Sequence, residues 1–424
     1  MESYIPRYID GWLKDLMPHL PAIAIEGAKG VGKTQTAQRL AKTTFKLDQK
    51  NQREIIGAEF ERLYNSPTPI FIDEWQYLPE VWDRVRRMVD DGIHKDCILL
   101  AGSQQSRDLS LHSGAGRIVR VRMRPLSIAE RFENLNQISL KDCFAGQITD
   151  IHKYVSELTL TDYVKEIFKT GFPGIFNAEE SVRPRLINSY IENIATREFA
   201  AQGIRLRQPQ VLIRWMRSYA AAVGTTASYT KILDAATSGE DDKPSKRSTV
   251  AYREALESLW ITDDLHLWLE GEDFFGRLKQ TPKHFLVDPG VEAHLLRLSE
   301  ERLLHGLEST VHDVDYGSIA GRLFESLCAM SVRTYASAID AQVYYLRTAS
   351  GSREIDLIVE KGRDLVVIET KVGATVSDEE VRHLNWFEEK VGDRVKAKIV
   401  LTTGDKAYRR NDGVLVVPAV LLGA

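Results

Sequence analysis

The stretch PAIAIEGAKGVGKTQTAQRLAK, residues 21–42, decides the reading of the N-terminal third. Its apolar start, Ala22 to Ile25, reads as a buried strand. GAKGVGKT, residues 27–34, then fills every fixed position of G-x-x-x-x-G-K-[ST], with a strand before it and a helix pattern after it. Gly27, Gly30 and Gly32 permit a turn whose amides, with that of Val31, face inward toward phosphate oxygens. A helix opening near Lys33 and Gln35 adds its positive end. Lys33 is placed to reach the β- and γ-phosphates, and Thr34 to hold Mg²⁺ through its hydroxyl. A chance glycine-rich turn would not supply strand, helix and Lys-Thr together.

Outward from this loop, strands and helices alternate. TPIFIDE (68–74) and DCILLAGS (96–103) read as buried strands, and PEVWDRVRRMVDD (79–91) as a helix with Val81, Val85 and Met88 on one face. Such alternation predicts a parallel sheet covered by helices. Asp73 and Glu74 end an apolar run, where a parallel strand delivers them to the ligand edge of the sheet. Asp73 suits Mg²⁺, and Glu74 suits the orientation of an attacking water. Ser103 or Gln104, at the tip of the next strand, is placed to sense the γ-phosphate. Arg117, in GAGRIVRVRMRPLS (114–127), has two readings: a transition-state cation supplied by a neighbouring copy, or a solvated basic loop.

The 424 residues suffice for two or three cores. A net charge of −4 gives no global basic signature, so nucleic-acid contact would need a local patch. Three scattered cysteines, Cys97, Cys143 and Cys328, form no CxxC, which suggests neither a disulfide framework nor a zinc site and agrees with a reducing cytoplasm. The start MESYIPRYIDGWLKDLMPHL has acids where a secretion signal has an apolar core. The apolar tail VLVVPAVLLGA is too short to span a bilayer, so no membrane role is expected.

The middle is mostly helical. ASYTKILDAAT (227–237) and RSTVAYREALESLW (247–260), joined by SGEDDKPSK, read as a helix-turn-helix, with ITDDLHLWLE and PKHFLVD as wing strands. Lys243, Lys246, Arg247 and Arg253 would neutralise DNA phosphates from the second helix, with Ser248 or Thr249 at the backbone, or the unit is a packing lid. Glu240, Asp241 and Asp242 oppose the first choice.

The last third returns to an α/β pattern. LVVIETKV (365–372) is a buried strand carrying Glu369 and Lys371 on one face, and EIDLIV (354–359) brings Asp356 across a turn. Asp356, twelve residues and Glu-Thr-Lys fit the D-x(n)-E-x-K pattern of metal-dependent nucleases, with Glu325 on the preceding helix as a further acid. There Asp356, Glu369 and Glu325 would hold Mg²⁺ and Lys371 would position water. The competing reading is an internal ion pair, Glu369 with Lys371 or Asp356 with Arg353.

GAKGVGKT, FIDEWQYLPEVWDRVRRMVD, LLAGS and GRIVRVRMRPLSIAE follow one another in a way that resembles the AAA-type ATPases of bacteria and archaea that carry a C-terminal domain of unknown function. GFPGIFN and TPKHFLVDPGV look like later motifs of that family. Trp75 departs from it, since an aliphatic residue is usual after Asp-Glu. The resemblance implies an α/β P-loop AAA-type ATPase domain (1–148), a helical and winged-helix region (149–308) and a PD-(D/E)xK restriction-endonuclease-like domain (309–424). The co-occurrence of the two ends suggests an ATPase that uses ATP and Mg²⁺ and is coupled to a nuclease-like domain directed at DNA; Arg117 acting on a neighbouring copy would need a homo-oligomer. The alternative is a signalling or scaffolding ATPase whose last domain keeps the fold without cleavage.

Overall fold

The structure, a computed structural model, describes residues 4–93, 98–103, 115–132, 135–204, 206, 208–236, 246–269, 281–308, 315–348 and 351–424. The chain forms two compact units, Met1–Pro125 with Leu256–Ile261, and Leu126–Ala255 with Thr262–Ala424.

In the first unit five parallel strands lie in the order β2-β3-β4-β1-β5: β1 Ala22–Glu26, β2 Thr43–Lys46, β3 Ile70–Asp73, β4 Ile98–Gly102 and β5 Ile118–Arg122. Strands β1, β3 and β4 are buried along their whole length, as uninterrupted apolar runs in a helix-covered parallel sheet should be. Val81, Val85 and Met88 of the helix Glu80–Asp90 are buried as their spacing predicts, and Trp82 joins them. One element differs from the single helix that the run GKTQTAQRLAKTTF (32–45) predicts. The helix after the glycine loop stops at Gln38, and Thr43–Lys46 becomes β2, pairing with β3. The β-branched Thr43 and Thr44 and the aromatic Phe45 favour a strand, and β3 offers an edge to pair with.

In the second unit the helix Tyr316–Ala338 precedes β7 Gln342–Arg347, β8 Glu354–Lys361 and β9 Asp364–Lys371, and the helix Asp378–Val391 leads into β10 Val395–Thr402. With β11 Tyr408–Arg409 and β12 Leu415–Pro418 these make a six-stranded mixed sheet, β11-β12-β10-β9-β8-β7. Val381, Leu384 and Phe387 of the second helix pack on Ile358, Val367 and Val400 of the sheet. The short β6 Ile138–Ser139 pairs with β13 Leu422–Gly423.

The second unit begins at Leu126. Its anchors there are long-range: the Ile128 amide donates to Ser331 Oγ at 3.1 Å and the Ala129 amide to Tyr335 Oη at 3.1 Å.

The helix-turn-helix expectation meets helices at Tyr229–Ala235 and Lys246–Ser258. The flanking segments pair as antiparallel bridges, Thr262 with Leu286 and Leu265 with Lys283. Within PKHFLVD, Lys283 to Asp288 are all buried. Arg253 lies over the Tyr229 ring at 4.3 Å, and Arg247 is exposed. Lys243, Glu240, Asp241, Asp242, Cys97 and Gln104, and the side chain of Lys246, lie outside the described residues.

Candidate functional site

The glycine loop closes against the end of β5. Gly27 (φ 155°) sits so close to the chain that a Cβ there would lie 2.2 Å from the Met123 carbonyl oxygen, so only glycine fits. Gly32, at φ 105°, turns the loop into the helix Lys33–Gln38. Gly30 is also left-handed, Val31 is buried, and Gln35 is exposed on the new helix.

Lys33 folds back over the loop. Its ammonium donates to the Gly27 and Ala28 carbonyls at 2.8 and 2.9 Å, and only 5% of the residue is exposed. Burial brings it down to about 8, although Glu74 and Asp73 pull the other way. Thr34 Oγ1 donates to Asp73 Oδ1 at 3.1 Å. Burial and then Glu74 raise the Asp73 carboxyl to about 6. A hydroxyl and a carboxylate converging beside a buried ammonium suit a phosphate-bound Mg²⁺, which takes few protein oxygens.

Glu74 is held in a left-handed backbone conformation, φ 50° and ψ 49°. Ser103 Oγ donates to both of its carboxylate oxygens at 2.7 Å, and Gln76 Nε2 also donates to it. Ser103 is thus tied to the candidate base. Trp75 is buried, stacks on Trp82 with ring centroids 4.7 Å apart, and its indole closes on Gly102, where a Cβ would lie 2.7 Å from Nε1. Asp73, Glu74, Thr34, Lys33 and Ser103 meet at the carboxyl ends of β1, β3 and β4, with β4 between the other two. Arg117 is half exposed and paired with Asp90.

Sequence reasoning missed Arg7. Its guanidinium, 5% exposed, donates to the carbonyls of Val31 at 2.8 Å and Arg124 at 2.7 Å, fastening the loop from behind. No local pattern signals a bond spanning 24 and 117 positions.

In the second unit the register sets Leu357 opposite Ile368, so Asp356 and Glu369 are cross-strand neighbours. Lys371 Nζ lies 3.5 Å from Glu369 Oε2. The unexpected member is Lys283. Its ammonium, 1% exposed, lies 2.5 Å from Glu325 Oε1, 3.0 Å from Glu354 Oε1 and 3.0 Å from Asp356 Oδ1. The other Asp356 oxygen accepts from the Thr370 amide and hydroxyl, both at 3.0 Å. Burial opposes ionisation of Asp356, but Lys283 and then Lys371 prevail and hold it at about 2. Burial takes Glu325 up to about 7 against the pull of Lys283, and burial with Asp356 pushes Glu369 well up. One oxygen of Glu369, Oε1, has no hydrogen-bond partner. Among the described residues no group of three or more His, Cys, Asp or Glu side chains is arranged to hold a metal ion. Of the expected metal set, Glu325 and Asp356 meet the ammonium of Lys283 together with Glu354, while Glu369 lies beside Lys371; Lys283 arrives from a segment the hairpin pattern does not contain.

Three domain families match parts of the chain: an AAA domain over residues 19–132, a domain of unknown function (DUF8612) over 160–302, and a domain of unknown function (DUF4143) over 320–422. No curated protein matches the chain. Among solved structures, the replication initiator DnaA bound to AMPPCP and single-stranded DNA is similar at 14% identity, over 59% of this chain and 86% of that one, with a TM-score of 0.26. Drosophila ORC bound to DNA is 10% identical over 68% and 94%, with a TM-score of 0.22. A Vibrio cholerae protein is 12% identical over 94% of both chains, with a TM-score of 0.19. TM-scores this low establish no shared fold.

Proposed function

We propose, from the AAA-type ATPase domain at residues 19–132, that this chain binds and hydrolyses ATP with Mg²⁺ and passes its nucleotide state to a nuclease-like C-terminal domain directed at nucleic acid. The observation that carries the reading is the convergence of Lys33, Thr34, Asp73, Glu74 and Ser103 at one edge of the parallel sheet. The loop amides and Lys33 would bind the β- and γ-phosphates. Thr34 and Asp73 would hold the Mg²⁺, which supplies positive charge against the triphosphate. Glu74, aimed by Ser103 and Gln76, would orient the attacking water and take its proton. Arg117 would leave Asp90 to act on the site of a second copy, which requires a homo-oligomer.

Support for the terminal half comes from the order helix, three strands, helix, strand, with Asp356, Glu369 and Lys371 on adjoining strands. Arg247, exposed at the start of its helix, and Lys246 beside it are the basic residues of the middle region proposed to meet DNA. No helix among the described residues is long and apolar enough to cross a membrane, and a cytoplasmic setting is part of the proposal. A second reading, a signalling or scaffolding switch without cleavage, is favoured by the ammonium of Lys283 among the carboxylates.

ATP turnover with and without single- and double-stranded DNA tests the proposal. Glu74→Gln is expected to keep ATP binding while turnover drops by about 10²–10⁴-fold. Unchanged turnover would remove Glu74 from the chemistry, and turnover indifferent to DNA would favour the switch.

Affinity for ATP should follow pH. Lys33 carries its charge below about 8, and Asp73 loses its proton above about 6. Binding is therefore strongest between these values. Above the Lys33 value each further pH unit should weaken binding by about tenfold, because the ammonium must be recharged first. The alkaline limb is diagnostic, since phosphate groups themselves titrate at about pH 6. Calorimetric titration from pH 6 to 9.5 that shows no loss would mean that Lys33 does not contact the phosphates.

A further inference from the structure

Lys283 is fixed from both ends. Its amide and carbonyl pair with Leu265, each at 2.9 Å, so the backbone is pinned in a bridge. Its side chain then runs inward until the ammonium meets three carboxylates, one on the helix Tyr316–Ala338 and two on β8. A lysine has three N–H donors and no acceptor; here one donates to Asp356 Oδ1 at 3.0 Å, and Glu325 Oε1 and Glu354 Oε1 lie at ion-pair distance. Separations of 2.5 to 3.0 Å are those of close charge pairs. They are longer than the roughly 2.0–2.1 Å that Mg²⁺ demands.

A divalent ion placed at the shared focus of Glu325, Glu354 and Asp356 would coincide with Nζ. Placed beside it, toward Oε1 of Glu369, it would meet the repulsion of both ammonium groups, Lys371 and Lys283, which act on that carboxylate. The second oxygen of Asp356 is already committed to Thr370. The donor set does not fit a metal.

We propose that Lys283 is the resident cation of the terminal domain, standing where a metal-dependent phosphodiesterase holds its divalent ion. The carboxylates then serve to fasten residues 283–288 to the helix Tyr316–Ala338 and to β8. On this assignment the wild-type terminal domain engages its ligand without metal and cleaves no phosphodiester bond. The inference rests on the terminal half of the proposed function and is independent of the ATP site.

The test is Mn²⁺ binding to the full chain without nucleotide, read as loss of the free-ion paramagnetic resonance signal, in wild type and Asp356→Asn. Equal binding is expected. One additional Mn²⁺ per wild-type chain, absent in Asp356→Asn, would overturn the assignment. Lys283→Met, which removes the ammonium and keeps the length, should gain one Mn²⁺ per chain that a further Asp356→Asn removes. A folded Lys283→Met that gains none would show that the ammonium occupies no ion position. If Lys283→Met does not fold, the wild-type comparison decides alone. With no nucleotide present, failure of the ATPase reading leaves the result intact.

Discussion

Lys33→Ala abolishes measurable ATP binding and lowers turnover by about 10²–10³-fold, the loss typical when one preorganised charge-stabilising group is removed from a reaction centre. The expected result follows from placement. The ammonium lies over the glycine loop, held by the Gly27 and Ala28 carbonyls. The fold should survive, because burial holds Lys33 below its usual range, so the charged group is a cost to the folded chain and not a support. Isothermal titration with ATP and Mg²⁺, alongside thermal unfolding, separates the two. Unaltered affinity in a folded Lys33→Ala protein would refute the phosphate loop.

The largest loss of stability is expected at Asp288. This fully buried side chain caps the helix Pro289–Leu295 by accepting from the amides of Gly290 at 2.8 Å and Val291 at 3.3 Å. Its other oxygen accepts from the Gly171 amide at 2.6 Å. Asp288→Ala strands these buried donors, at a cost of about 3 kcal/mol or more. For a unit of this size that lowers the melting temperature by roughly 5 °C. Asp288→Asn keeps one good acceptor and should lose less than half as much. A change in Asp288→Ala below about 1 kcal/mol by urea unfolding would show that water satisfies the amides instead.

The nucleotide half was legible because its chemistry is written consecutively. Glycines encode the loop backbone, Lys33 and Thr34 follow at once, and an apolar run delivers Asp73 and Glu74 to its own end. The Asp356–Glu369 hairpin was legible for a similar reason, since a short turn sets its register. Lys283 was not, because it reaches Asp356 across 73 positions from a segment whose local pattern suggests only a wing strand. GFPG and VDPG were visible as separate motifs of the resemblance. Only the fold shows that Gly171 and Asp288 are two halves of one joint. The strand Thr43–Lys46 was hidden behind a continuous helical pattern, and pairing with β3 decided it.

Arg7 has a practical consequence for dissecting the chain. The AAA match begins at residue 19, so a fragment cut at that edge would discard the guanidinium that clasps Val31 and Arg124. Such a truncated protein would keep every signature residue of its catalytic motif and yet carry a loosened cradle. Weak nucleotide uptake by that fragment would then report a missing clasp, not an inactive enzyme.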